Sequence, residues 1–410
     1  VRETLGLFEG YGVELEYVIV DRETLAVRPL ADRLLASVAG SIVSEVARGT
    51  LAWSNELALH VIELKTNGPA GSLHGLADAF QADVRRANAQ LAAMNACLLP
   101  TGMHPWMDPT RETRLWPHEQ NVVYEAFDRI FSCRGHGWAN LQSTHLNLAF
   151  AGDREFGRLH AAVRLVLPIL PALAASSPIL DSRVTGVLDN RLEVYARNCA
   201  RIPSITGRVI PERVFTRRDY EDGLLGRLYR DIAPHDPEGV LRHEWLNARG
   251  AIARFERSAL EIRVLDIQEC PAADVAVLEV IVRVLQALAG ERWQSVVAQQ
   301  RWEVEPLAEI FLTAVRDAEA AVIANPDYLA AFGLRDGKAT AGELWTHLAE
   351  ACFAPGEMVP DALDVILREG PLARRILRAT GPSPDRATLE GTYRGLTACL
   401  AEGRMFHPDA

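Results

Sequence analysis

Gly12-Val13-Glu14-Leu15-Glu16-Tyr17-Val18-Ile19-Val20-Asp21 reads as a β-strand with an anomaly on one face. Val18, Ile19 and Val20 supply β-branched bulk, and alternation puts Glu14, Glu16 and Val18 on the same side. Two carboxylates therefore project together from a run apolar enough to be central in a sheet. Like charges held that close repel, and burying either alone is costly. An edge strand with a wet acidic face accounts for the pattern, and so do divalent cations seated between the acids. The same anomaly, an ionic group in the middle of an apolar strand, recurs at three later places.

The second place is Trp53 to Lys65 (WSNELALHVIELK). Glu63 shares a strand face with Leu57, Leu59 and Val61, so alternation buries it, against either an arginine or a metal. Glu56 lies at an odd offset from Glu63, which sends it to the opposite face of a regular strand. Both acids reach one site only if a bulge or bend intervenes. In the third, Leu141 to Phe150 (LQSTHLNLAF), Leu146, Leu148 and Phe150 make one face and Ser143, His145 and Asn147 the other. His145 is there a structural imidazole or, beside buried carboxylates, a ligand for a divalent metal.

In the fourth, Ala259 to Asp266 (ALEIRVLD), Leu260, Ile262 and Val264 face the core, with Glu261 and Arg263 opposite. These two form an ion pair, or Glu261 serves a metal and Arg263 a phosphate, which suits its forked donors. Glu14, Glu16, Glu63 and Glu261 with His145 make a carboxylate-rich set, and hard oxygen ligands in that number select Mg2+ or Mn2+ over zinc. Acids for such an ion and arginines for phosphate point together to nucleotide chemistry. The sequence contains no GxxxxGK[ST] and no GxGxxG opening a helix, so neither a P-loop nor a Rossmann site is expected.

The 410 residues are 49% hydrophobic and 24% charged, with a net charge of −11. That balance fits a globular cytoplasmic enzyme and argues against a nucleic-acid or anionic-membrane partner. Six cysteines lie far apart with no CxxC and no zinc spacing, as free thiols in a reducing compartment do. Arg2, Glu3 and Glu9 interrupt any apolar leader, so no signal peptide is expected. Helices are expected over 72–94, 119–131, 153–175 and 217–231, partial helix over 30–48, and a loop over 100–118. The segment 51–67 reads as one kinked strand, and 252–267 carries the last strands. Beyond Pro271 the pattern is helical. Strands dispersed among helices with a helical tail predict an α+β fold with an antiparallel-leaning sheet. It divides into a catalytic core over 1–270 and a C-terminal helical layer over 271–410, packed as one unit.

The ordered motifs GVELEYVIVD (12–21), ELALHVIELKTN (56–67), TGMHPW (101–106), STHLNLAF (143–150), LPALAASSPI (170–179), TGVLDNR (185–191) and ALEIRVLD (259–266) resemble the glutamate–cysteine ligase type 2 family, or carboxylate–amine ligases. The resemblance implies a curved, mainly antiparallel sheet of glutamine-synthetase-like type with flanking helices. It implies ATP-dependent joining of a carboxylate, glutamate by default, to an amine, with ATP and Mg2+ (or Mn2+). It also implies metal ligation by Glu14, Glu16, Glu63, His145 and Glu261, and nucleotide contacts from Arg191, Arg254 and Arg263. Arg263 is the catalytic cation at the phosphates, and Glu56 is a candidate base. No thiol pocket is identified, and a homo-oligomer is left open. Two competing readings are a guanidino-kinase-like phosphotransferase and a nucleotide or amino-acid binding protein without catalysis. Among lesser features, Cys133 lies near His136. His104, Trp106, Trp116 and His118 either cap a substrate pocket or form a structural cover.

Overall fold

The strand with the two acids, β1 (Tyr11–Asp21), runs through the middle of an eight-stranded sheet in the computed structural model, which describes residues 4–354 and 356–408. Arg2 and Glu3 lie outside the described residues. The other strands of this sheet are β2 (Glu45–Arg48), β3 (Leu51–Asn55), β4 (Val61–Thr66), β5 (Ala96–Leu99), β6 (Ser143–Ala149), β9 (Ala251–Arg254) and β10 (Ala259–Asp266). Their order is β2-β3-β4-β1-β6-β10-β9, with β5 paired to the end of β1, and every pairing is antiparallel. β7 (Ile179–Leu180) and β8 (Arg183–Val184) form a separate ribbon. The protein is thus a mixed α/β fold built on an antiparallel sheet.

The two faces of β1 explain its odd sequence. Val13, Leu15, Tyr17 and Ile19 are fully buried in the main core with Leu146, Leu148, Leu260 and Ile262, each such side chain contributing about 1.5–3 kcal/mol. On the other face Glu14 and Glu16 come first. Val18 and Val20 then enter a second core with Leu99, Leu372, Ile376, Leu389 and Tyr393. Helices Leu372–Thr380 and Arg386–Glu402 therefore cover only the half of that face that is apolar. The acidic half stays open. Helices Leu76–Ala92, Gly152–Val166 and Pro271–Ala289 pack together on the main-core side. The tail is tied down by a fully buried ion pair between Glu269, just after β10, and Arg375, which also donates to the carbonyls of Phe406 and Gly370.

The sequence expectation departs from the fold at five places. Residues 51–67 form two antiparallel strands, with Ser54 opposite Glu63, rather than one kinked strand. Residues 56–60 link them as a strap, because Ala58 bridges Leu115 and Leu57 and Leu59 bond the backbone at Trp116 and Arg114. The segment 30–48 is the helix Ala31–Ala39 followed by β2, and β5 was not expected. Pro168 and Pro171, which lack an N–H, break the helix expected over 153–175 into Gly152–Val166, a 3-10 turn and Pro171–Ala174. The helical tail also holds one short ribbon, Val322–Ile323 with Ala339–Thr340. Among the described residues no helix is long and apolar enough to cross a membrane.

Candidate active site

Strand register brings the ionic groups to one sheet face. Glu14 sits opposite Lys65 on one side and His145 on the other, Glu16 opposite Glu63, and Glu261 opposite Asn147. Together they line a cavity of about 360 Å³. Glu14 Oε2 lies 2.7 Å from His145 Nδ1, and its Oε1 accepts from Asn147 Nδ2 at 3.1 Å. Gly12 makes room for that amide, since a Cβ there would come within 2.9 Å of Asn147 Cβ. Glu16 accepts from the backbone N and the Oγ of Ser143, both at 2.8 Å. Glu63 accepts from Ser54 Oγ at 2.6 Å and lies 3.1 Å from Lys65 Nζ, which also pairs with Glu45 at 2.8 Å. Glu56, on the strap between β3 and β4, has no side-chain partner among the described residues. Because it is on a strap and not in a strand, the odd offset from Glu63 no longer separates them.

Two sets of ligand atoms, Glu14 with Glu63 and His145, and Glu16 with Glu56 and Glu63, each lie within 4.8 Å of one another. Glu63 is common to both. Burial raises the Glu14 carboxyl, but the hydrogen bond and charge of His145, with Lys65 and Arg263, bring it down to about 2. Glu63 moves the other way: burial and then the charge of Glu14 push it up to about 7. Burial and the charges of Glu16, Glu63 and Glu14 hold Glu56 well above the usual carboxylate range. The chain's own cations leave this end of the cavity with surplus negative charge, the condition that recruits a metal ion.

The β9–β10 side is cationic. Glu261 accepts from Arg254 Nη1 at 3.0 Å and from Arg263 through both Nε (3.1 Å) and Nη2. Of the two sequence readings for Glu261, the structure displays the ion pair, and Glu261 belongs to neither ligand set. Burial raises its carboxyl, and Arg263 foremost returns it below the ordinary value. Arg191, on the helix Asn190–Tyr195, spends its Nη groups on Asp266 (3.3 Å) and on the carbonyl of Arg263 (2.8 Å) and leaves Nε without a partner. Arg257, exposed at the β9–β10 turn, reaches the same cavity, as do Tyr195 and the rings of Phe127, Trp138 and Trp245.

The profile of glutamate–cysteine ligase family 2 matches residues 11–394. The chain belongs to glutamate–cysteine ligase family 2. An uncharacterised protein of Archaeoglobus fulgidus is 36% identical over 277 residues, 67% of this chain and 74% of its own. A Nocardioides sp. protein provisionally named glutamate–cysteine ligase 2-1 is 25% identical over 394 residues, 94% of this chain and 93% of its own. Among solved structures, the AMP complex of glutamate–cysteine ligase from Francisella tularensis superposes with a TM-score of 0.59 at 11% identity, covering 99% of this chain and 91% of that one. That likeness is one of fold. Family membership supports an enzyme of the carboxylate–amine ligase kind.

Not every feature singled out in this family member's sequence reaches the cavity. His104 is buried with Nε2 2.8 Å from the carbonyl of Leu25, and Trp106 packs edge-on against Tyr393. Trp116 lies in the main core, and His118 pairs with Asp32 at 3.1 Å. None of these four side chains lines the cavity, and the loop that carries them is a structural cover. Cys133 is buried, which raises its thiol, while His136 turns to Asp181 and Asn140, so no nucleophile pair exists there. Sequence reasoning overlooked Lys65, although its alternation with Glu63 signals a shared face. Tyr195, Arg257 and the aromatic wall carry no such signal, because each comes from a separate turn or short helix.

Proposed function

We propose that this chain is an ATP-dependent carboxylate–amine ligase, glutamate–cysteine ligase-like, that forms an amide of the γ-glutamyl kind through an acyl phosphate. On this reading the sheet is of the curved glutamine-synthetase-like type, and the free cysteines accord with a cytoplasmic setting. The observation that carries the proposal is the polarity of one cavity, with Glu14, Glu16, Glu56, Glu63 and His145 toward β3–β4 and Arg254, Arg257 and Arg263 toward β9–β10.

The donor set, surplus carboxylate oxygens with one imidazole, fits Mg2+ or Mn2+, and the unpaired Glu56 carboxyl is the sharpest sign of it. Glu14, Glu63 and His145 would hold one ion, and Glu16, Glu56 and Glu63 a second. Glu261 joins them only where an anion draws Arg263 and Arg254 away. Bound there, such ions offset the charge of a triphosphate. The arginines grip phosphoryl oxygens through their forked donors, Arg263 at the transferring group. Arg191 offers only its Nε and otherwise braces Arg263. An oxygen of the acid forms a bond to the γ-phosphorus of ATP as the bond to ADP breaks, giving the acyl phosphate. The amine nitrogen then adds to the acyl carbon, phosphate leaves, and the nitrogen gives a proton to Glu56 as base, at the carboxylate oxygen that is not a ligand atom.

The test is ADP release with Mg2+, ATP, glutamate and a panel of amines including cysteine, followed by mass spectrometry of the products. A ligase releases ADP and a new amide only with acid and amine both present. ADP with a phosphorylated acceptor and no amide identifies a phosphotransferase, and no ADP across a broad panel identifies a binding protein. Either result refutes the proposal.

A further inference from the structure

Three of the sequence motifs, TGMHPW (101–106), LPALAASSPI (170–179) and TGVLDNR (185–191), meet on a single carboxylate, that of Asp266 at the end of β10. Asp266 is fully buried, and its Oδ2 accepts from the backbone N of Ser176 at 2.9 Å and from Ser177 Oγ at 2.7 Å. Gly102 lies so close that a Cβ there would overlap the carboxyl group. The other oxygen, Oδ1, is 3.3 Å from Arg191 Nη1. The acid is thus clamped on one side and presents its second oxygen to a guanidinium.

The sheet explains why an acid stands there. Ile262 faces Leu146 and Leu265 faces Thr144, so Arg263 and Val264 share the place opposite His145 as a β-bulge. Strict alternation from Ile262 would turn Asp266 into the apolar core. The extra residue turns it instead to the face of Ser143, its partner across the sheet. A bulge breaks the ladder and re-aims a side chain. Here the Arg263 N–H goes to the carbonyl of Gly250 at 3.0 Å, and its carbonyl accepts from Arg191 Nη2 at 2.8 Å. Arg191 therefore ties the bulge to the clamped carboxylate further along β10. Glu261 grips the Arg263 guanidinium only until an anion draws it away, and from then its aim depends on the backbone that carries it. We infer that Asp266 is a positioning residue, which acts through Arg191 to fix the bulge that aims Arg263 at the transferring phosphoryl group. This deepens the ligase reading and rests on it for the role of Arg263.

Asp266→Asn keeps an oxygen for Ser177 and sets an amide donor where Arg191 needs an acceptor. With Mg2+, ATP, glutamate and the best amine of the panel, it should lower kcat by about tenfold or more, the cost of a small misplacement. KM for ATP should stay within about threefold. In an Arg263→Ala background the same change should cost less than about twofold, because the acid acts through that side chain. Calorimetry with Mg2+ reads the aim without turnover. Wild type should bind AMP-PNP, which carries the third phosphoryl group, more tightly than ADP. Asp266→Asn should shrink that preference by about threefold or more and leave Kd for ADP unchanged. Gly102→Ala, at a backbone position outside the left-handed region, displaces the carboxyl with every charge kept. It should act in the same direction and serves should Asp266→Asn fold poorly. A preference lost in the variant, with no ADP formed by wild type from any acid and amine, sinks the ligase reading and leaves the positioning role standing. A cost that persists in full without Arg263, or a preference equal in wild type and variant, overturns the inference and spares the ligase. A wild type that favours neither nucleotide overturns it as well.

Discussion

Replacing Glu63 by glutamine should stabilise the metal-free protein, contrary to the usual result of altering a buried, hydrogen-bonded side chain. Burial and then the charge of Glu14 push its carboxyl up to about 7 in the fold, against 4.5 when free. At ~1.4 kcal/mol for each pH unit between those values, the folded protein is disfavoured by ~3.5 kcal/mol once the group is ionised in both states. The sign follows from proton binding. Between pH 4.5 and 7 the folded chain holds this proton more tightly than the unfolded one, so stability falls as pH rises through that window. Glutamine still accepts from Ser54 Oγ but gives up the attraction of Lys65, which trims the gain to about 1–2 kcal/mol. At ~2.1 cal/mol/K per residue, a chain of this length moves by about 1 °C per kcal/mol. Differential scanning fluorimetry in EDTA should therefore place Glu63→Gln about 1–2 °C above wild type at pH 8 and level with it near pH 4.5. Added Mg2+ should raise the wild-type Tm and leave the variant unmoved, because both ligand sets use Glu63. A variant that melts lower in EDTA at pH 8, or that keeps the full Mg2+ response, would refute the reasoning.

The neighbouring acid should respond in the opposite sense. Glu261→Gln leaves Arg254 and Arg263 without their shared carboxylate and should cost about 3 kcal/mol in urea unfolding; a more stable variant would put Glu261 back among the repelling acids. Asp274, lifted to about 8 by burial and left with one oxygen unpartnered, weakens the fold as pH climbs from 3.8 to 8. Asp274→Asn should gain about 2 kcal/mol at pH 8 and converge with wild type near pH 4, and equal pH slopes for the two would discard this. Burial holds His60 and His104 near 4, with Nε2 of each at a backbone carbonyl. The unfolded chain binds those protons first, so stability should fall as pH drops from 6.5 to 4; a Tm flat across that range would count against it.

The sheet was legible in the chain wherever a strand is buried on one face and functional on the other. β1, β6 and β10 announce themselves because apolar residues alternate with Glu14 and Glu16, with His145 and Asn147, or with Glu261 and Arg263. Residues 51–67 misled because no Gly or Pro marks the reversal between β3 and β4. Leu57, Ala58 and Leu59 are apolar for a reason outside the hairpin, since the strap they form pairs with residues 114–116. β5 is four residues caught between a helix and Pro100, too short to show a period. The convergence of acids could be read from alternation, and so could an ion pair of Glu261 with Arg263, whereas its second partner could not. Arg254 reaches it only because the β9–β10 turn folds one strand back along the other.

The Glu269–Arg375 pair bears on how the helical tail can be dissected. A fragment ended near residue 270 would keep the anion and discard its counterion, along with the helices that seal Val18 and Val20. Loss of activity in such a fragment would report a stranded charge and a bared apolar surface, and nothing about whether the tail takes part in catalysis. Single replacements on its outward positions are the informative route.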